Sequence, residues 1–295
     1  MKSAGGEGIF NQTGGTNTVA GNLTLGLAPG SSGTYTLDGG TLNVGNIVYG
    51  GGRGVFNYNG GTLNVTGNSV ALNAFVSNSN FTLGSGQTLT ASEGITNNAN
   101  GSFTVGAGAT VAAGGLGLVN YGLLGGTGTV AGNVISSGNV GPGNSPGMLS
   151  ITGDYTQSAL GTFTAEIGGL LAGTQYDVLN VSGTAFLDGL LNVSLYDLGG
   201  GLFAPHAGDY FDILTASTIT GSFSSLSFAT LSDPNLFWRV SYLTDAIGTT
   251  DVVRLSVAQN AVVPAPVPEP ETYAMLLAGL GLLGVAGRRR NKRAA

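Results

Sequence analysis

GTYTLDGGTLNV at residues 33–44 and GVFNYNGGTLNV at residues 54–65 are one pattern written twice. Each is a short run with alternating apolar and polar residues, a Gly-Gly pair (Gly39-Gly40, Gly60-Gly61), and a second alternating run such as Thr41-Leu42-Asn43-Val44. Alternation with period two belongs to a β-strand with one buried face, and paired glycines supply the positive φ that a tight turn needs. Looser copies stand on both sides: GIFNQTGGTNTV before, then SNFTLGSGQTLT, GSFTVGAGATV and GLLGGTGTV. Aligning the bulky residue after each glycine-led turn gives Phe10, Tyr35, Phe56, Phe81, Phe103 and Leu123, with spacings of 25, 21, 25, 22 and 20.

A period near 22 residues suits one turn of a parallel β-helix and is too short for a four-stranded propeller blade. One such unit cannot bury its inward side chains alone, whereas stacked units do so and pair each backbone with the next. The expected fold is all-β, a parallel β-solenoid over 1–157, with Phe56, Leu63, Val65, Phe81 and Phe103 inward and Thr and Asn in stacked ladders. A meander of hairpins closed by Gly-Gly turns is the rival arrangement.

Composition agrees with a repetitive β-rich chain. Among 295 residues there are 54 Gly, no Cys, one His and one Trp, and only 8% are charged. Low charge with 42% hydrophobic residues argues against disorder, and glycine without a third-residue period is not collagen. The absence of Cys removes disulfides and thiolate metal sites. The formal charge of −6 hides an asymmetry, because Arg288, Arg289, Arg290, Lys292 and Arg293 are five of the nine basic residues. Residues 1–271 hold the other four and all 15 acids, 4 − 15 = −11, so a nucleic-acid partner is not expected. At the N-terminus Lys2 is followed by glycines and Glu7 in place of an apolar h-region, and the chain opens within the repeat. The expectation is that an N-terminal signal peptide is missing from this sequence.

Residues 125–157, GGTGTVAGNVISSGNVGPGNSPGMLSITGDYTQ, resemble the repeat near the end of autotransporter passenger domains and related bacterial surface β-helices. The resemblance implies a surface-exposed β-helix without catalytic residues. Residues 158–258 stay strand-like with fewer glycines, and YDVLNVSGTAFLDGLLNV (176–193) and GDYFDILTASTITGSF (208–223) resemble the closing part of the same domains. A solenoid end is an exposed edge that needs covering. Residues 158–258 are therefore read as a β-rich cap, with Phe237, Trp238 and Tyr242 in its core.

Enzymes also use β-helices, so the acids matter. Glycoside hydrolysis needs two facing carboxylates, and the candidates are Asp209 with Asp212, or Asp177 with Asp188. On a regular strand Asp209 and Asp212 would point to opposite faces. Asp38, Glu93 and Arg53 are too scattered for a lyase site. His206 stands alone in APHAGDY, and neither Gly50-Gly51-Gly52 nor Gly199-Gly200-Gly201 carries a phosphate-loop signature. No catalytic residue, cofactor or metal site is expected.

From Gln259 the composition changes. Residues 259–271 carry Pro264, Pro266, Pro268 and Pro270 at alternate positions, a stiff linker that no sheet accommodates. Residues 272–287 are uncharged, and Tyr273 to Gly287 would rise about 22 Å as a helix, short of the roughly 30 Å hydrocarbon core. The membrane-facing side chains would be Tyr273, Met275, Leu276, Leu277, Leu280, Leu282, Leu283 and Val285, with 288–293 as a basic stop. Pro268-Glu269-Pro270, a short apolar helix and a basic tail, in that order at the C-terminus, resemble the PEP-CTERM sorting signal over 272–295 and the triplet before it. That resemblance implies export from a Gram-negative bacterium and a transient hold in the inner membrane by a transmembrane helix. It further implies recognition by an exosortase-type membrane protease near the triplet, and delivery to the cell surface or extracellular matrix. Such proteins accompany exopolysaccharide and biofilm formation, so exopolysaccharide is a candidate partner. The expected function is non-catalytic, structural or adhesive. The alternative is a β-helical polysaccharide lyase or glycoside hydrolase, which would need two of Asp177, Asp188, Asp209 and Asp212 to converge.

Overall fold

The alternating runs become parallel strands stacked turn upon turn. The computed structural model describes residues 5–260 together with Met275, Leu277, Ala278 and Leu280. The chain divides into two units, 1–258 and 259–295. In the second, the four described residues are helical and exposed, and the remainder of the expected 272–287 helix lies outside the described residues. Among the described residues no helix is long and apolar enough to cross a membrane.

The first unit is all-β with large parallel sheets, consistent with the solenoid that the repeat predicts. In the middle of the unit each turn carries three strands, one per face, so the chain runs along a first, a second and a third face before returning. Strand Ser102–Val105 lies on the second face, Thr110–Ala113 on the third and Leu118–Asn120 on the first. Each pairs in parallel with the equivalent strand of the next turn: Phe103 with Leu124, Val111 with Val130, and Leu118 with Val134. Hairpins would give antiparallel neighbours, so these registers exclude the meander. Turn length varies with the corners, from 16 residues between Leu118 and Val134 to 35 between Leu179 and Leu214. Parallel pairing passes residue 157 without interruption, since Tyr155 pairs with Ala185 and Phe163 with Leu191, and it reaches Ser225–Phe228.

Aromatic side chains build the interior near the N-terminus. Phe10, Tyr35, Phe56 and Phe75 are register partners on the first face, with ring centroids 5.0, 5.4 and 5.9 Å apart. The expected single file through Phe81 is corrected here. Phe56 is followed by Phe75, while Phe81 and Phe103 start a separate file on the second face, 5.1 Å apart. Phe75 touches both, at 4.8 and 6.1 Å, so the two files meet inside the core. A second correction concerns Leu123, which is 41% exposed while Leu124 takes the inward place. Phe56, Phe81 and Phe103 are buried as expected, but Leu63 and Val65 are only half-buried. Their strand, Thr62–Val65, pairs along its length with Thr41–Val44. The Gly-Gly pairs form a stacked corner: Gly40 and Gly61 have φ of 76° and 78°, and a Cβ at Gly61 would meet the Gly40 carbonyl oxygen at 2.6 Å.

Polar residues form ladders outside and inside. On the surface Asn64 donates to Asn43, Asn43 to Thr18, and Asn98, Asn78, Asn59 and Asp38 form a chain of amides and carboxylate. Inside, a second ladder follows the corner between the first and second faces. Asn97 and Asn120 are fully buried, and Asn120 donates to Ser136 Oγ at 3.0 Å and to the Asn139 carbonyl at 3.0 Å. Gln157 continues it, donating to the Asp188 and Leu190 carbonyls and accepting from the Tyr155 hydroxyl. These amides satisfy carbonyls that the corner bends out of the sheet, which is why polar side chains occupy inward positions there.

The end of the unit is closed by a change of direction. Strand Thr250–Gln259 lies antiparallel to Tyr210–Ala216, pairing Phe211 with Leu255 and Asp212 with Arg254. Trp238 on Leu236–Ile247 covers the last turn, its ring 6.0 Å from Phe211 and 6.4 Å from Phe228, with Nε1 donating to the Ala229 carbonyl. Of the three residues expected in the cap core, Trp238 is buried. Phe237 is 44% exposed, because the alternation of the strand turns it outward, and Tyr242 is 38% exposed although its hydroxyl accepts the Phe223 N–H at 2.9 Å.

Candidate functional site

Three successive connections depart from the short turns of the repeat, all at the corner between the second and third faces. They are residues 143–147, 168–177 and 196–209. Earlier turns cross the same corner tightly, as at 106–109 and 127–128. In stacked repeats, insertions gather on the side where ligands are met.

The first two connections border a groove of about 380 Å³ on the second face. Its floor is open because Gly125 and Gly141 present no side chains, and Glu166 and Asp177 stand at its edge. In the 143–147 segment Ser145 has φ of 63° and the Ser145-Pro146 peptide is cis. Asp177 is buried and holds the segment in place: Oδ1 accepts the Gly147 N–H at 2.8 Å and Oδ2 the Glu166 N–H at 3.0 Å. Burial pushes its carboxyl up to about 7 against the opposing pull of those two N–H groups. Both oxygens are thereby committed to the backbone.

The second and third connections border a depression of about 420 Å³ lined by Leu170, Leu171, Ala172, Tyr176, Gly208, Asp209, Tyr210 and Asp212. Asp212 pairs side-on with Arg254, Oδ1 to Nε at 2.6 Å and Oδ2 to Nη2 at 2.9 Å. The Arg254 guanidinium carbon lies 4.2 Å from the centre of the Tyr210 ring. Burial raises the Tyr176 phenol above its ordinary value.

The four candidate acids are distributed as follows. Asp209 precedes the strand that begins at Tyr210, so the opposite-face expectation for Asp209 and Asp212 fails: both border the same depression. Asp209 Oδ2 accepts the His206 N–H at 2.8 Å and closes the turn that carries the exposed His206. Asp177 borders the other groove and Asp188 neither of these two concavities. Asp188 Oδ1 accepts the Gly189 N–H, which holds the carboxyl below its usual range. The N–H groups of Gly199, Gly200 and Gly201 all turn to Asp197 Oδ1, at 2.7 to 2.9 Å, so this glycine run is the inside of a carboxylate-centred loop. Glu93 and Arg53 are joined at 2.6 Å on the exposed surface. Sequence reasoning did not single out Tyr176, Tyr210, Glu166 or Arg254 as site residues. The signal available for them was the loss of the 22-residue period at 168–177 and 196–209.

Of the tail residues, Met275, Leu277 and Leu280 are helical and exposed. Pro268, Glu269, Pro270, Tyr273, Leu276, Leu282, Leu283, Val285, Arg288, Arg289, Arg290, Lys292 and Arg293 lie outside the described residues. A family model for the PEP-CTERM protein-sorting motif matches residues 266–290, covering the triplet, the apolar segment and the first three arginines. No curated protein matches the chain.

Proposed function

We propose that this chain is an exported, non-catalytic protein of the bacterial cell surface or extracellular matrix, sorted by an exosortase and resembling autotransporter passenger β-helices in its body. The observation that carries the reading is the sorting motif at 266–290, which indicates an exported protein handled by an exosortase, a membrane protease. In this reading the short apolar segment with its basic stop holds the chain in the inner membrane while Pro268-Glu269-Pro270 is presented for processing. A repetitive body suits a structural or adhesive role, because stacked turns give a long, stiff surface whose faces vary without loss of the core. Exopolysaccharide is the partner this setting supplies. The catalytic alternative, a lyase or hydrolase, has Asp209 and Asp212 at one depression, but both oxygens of Asp212 are taken by Arg254, which leaves no second free carboxylate beside Asp209.

The test compares secreted protein carrying the natural tail with protein in which Pro268, Glu269 and Pro270 are alanines. The natural tail should give a shorter mature chain and surface release. Equal masses and equal retention would refute the sorting role.

A further inference from the structure

The depression between residues 168–177 and 196–209, the slot, is lined by two exposed apolar surfaces. One is the Tyr210 ring, 56% exposed and stacked on Arg254, which Asp212 in turn anchors. The other is a short apolar shelf of Leu170 and Leu171, 54% and 61% exposed. That shelf is held firmly. The Leu170 and Leu171 N–H groups both donate to Gln175 Oε1, at 3.1 and 3.2 Å, and the Leu171 carbonyl accepts the Gln175 N–H at 2.7 Å.

We propose that this slot binds one uncharged pyranose unit of a polysaccharide, with Tyr210 as the stacking wall. A pyranose has two weakly apolar C–H faces and a rim of hydroxyls. Its faces match an aromatic ring on one side, whose π-cloud is negative, and aliphatic side chains on the other. Its rim meets acceptors at the mouth. Asp209 uses Oδ2 for the His206 N–H, and Oδ1 has no partner among the described residues, so it is free to accept a hydroxyl. Tyr210, which lines the same depression, brings a hydroxyl as a second polar group. The volume, about 420 Å³, lies within the range of small-ligand sites.

Charge narrows the sugar class. Asp212 is neutralised by Arg254, which leaves Asp209 as the uncompensated group, on a body of residues 1–271 carrying 4 − 15 = −11. A uronate would meet like charge at the mouth and in the surrounding field, so neutral hexoses and N-acetylated sugars are selected over acidic ones. The slot deepens the matrix-protein reading by naming where and how sugar is contacted. It rests on that reading only for the source of the polymer.

Affinity electrophoresis of the full chain through gels containing laminarin, dextran, galactomannan, soluble chitin oligosaccharides or alginate tests the proposal. At least one neutral glycan should retard the protein, and alginate should not. Tyr210→Ala and Leu171→Asp should each weaken retardation about tenfold, as expected for loss of a stacking anchor. Leu171 projects from a surface loop, so its variant serves even if Tyr210→Ala alters folding, which circular dichroism reports. Retardation by no neutral glycan, equal retardation by alginate, or wild-type behaviour of Leu171→Asp would overturn the slot. Each of these results leaves the sorting experiment on Pro268-Glu269-Pro270 standing.

Discussion

Asn97 donates through Nδ2 to Oδ1 of Asn120 at 2.8 Å, one turn of the chain joined to the next between two fully buried amides. The same nitrogen reaches the Leu123 carbonyl at 2.9 Å, and Asn120 repeats the arrangement one turn on, at the Asn139 carbonyl. The ladder therefore satisfies carbonyls at the corner from buried amide donors. Asn120→Ala leaves the Asn139 and Gly122 carbonyls and the Asn97 donor short of a partner at once. It should destabilise the unit by about 3 kcal/mol, read as a lower denaturant midpoint, because each unmet buried group costs about 1–3 kcal/mol. A loss below about 0.5 kcal/mol would mean that the ladder is ornamental.

The pH dependence of stability should carry the mark of Asp177. Its carboxyl is pushed up to about 7 by burial, whereas an unfolded aspartate titrates near about 3.9. Between those values the native state holds a proton that the unfolded state has released. This contribution is therefore fully present at the acid end of the window and declines as pH rises from about 4 to about 7. Carboxyls held low, such as Asp188 and Asp197, act oppositely and at more acid pH. The difference between wild type and Asp177→Asn isolates the Asp177 term. Denaturation measured across the window should show that difference changing with pH, and a flat difference would refute the assignment.

Two guanidinium–carboxylate pairs should differ in strength because their exposure differs. Arg254 and Asp212 are 30% and 15% exposed, while Arg53 and Glu93 are 52% and 45% exposed. Water screens the second pair, whose coupling should stay below about 1 kcal/mol. The first is side-on, partly dry and stacked on Tyr210, and should reach about 1–2 kcal/mol. Double-mutant cycles with Arg254→Met and Asp212→Asn, and with Arg53→Met and Glu93→Gln, give both numbers. Equal couplings would contradict the ranking.

Trp238 and Phe237 are neighbours in sequence with opposite expected effects. Trp238→Ala removes a buried ring that packs on Phe211 and donates to Ala229, and should cost about 3–5 kcal/mol. It also uncovers the last turn, so light scattering should rise through edge-to-edge association. Phe237→Ala, at an exposed ring, should stay within about 1 kcal/mol.

The stacked parallel class of the fold was legible in GTYTLDGGTLNV and GVFNYNGGTLNV, because their in-register copies share both the alternation and the glycine corner. The faces were not. An aromatic at Phe81 satisfies the period as well as Phe75 does, since both point inward, and spacing alone does not say which corner of the turn lies between them. Nor does the sequence mark Asn97 and Asn120 as interior, since asparagine is common in turns, and they are buried groups serving a bent backbone. For the slot, Leu171 belongs to one insertion and Tyr210 to the strand that follows the next, and only the stacking of consecutive turns brings them to one place. The tail was the opposite case, since a linear motif carries its meaning in order and spacing alone.

The reversal of the last strand fixes where tension enters. Thr250–Gln259 ends beside the start of Tyr210–Ala216: Ser256 opposes Tyr210, and the Gly208 N–H donates to the Val257 carbonyl. A chain tethered through its C-terminus is thus pulled first at this seam, next to the slot, and the stacked turns beyond it are loaded only through the strand that peels. Under drag the final strand would act as a fuse, yielding ahead of the solenoid it closes.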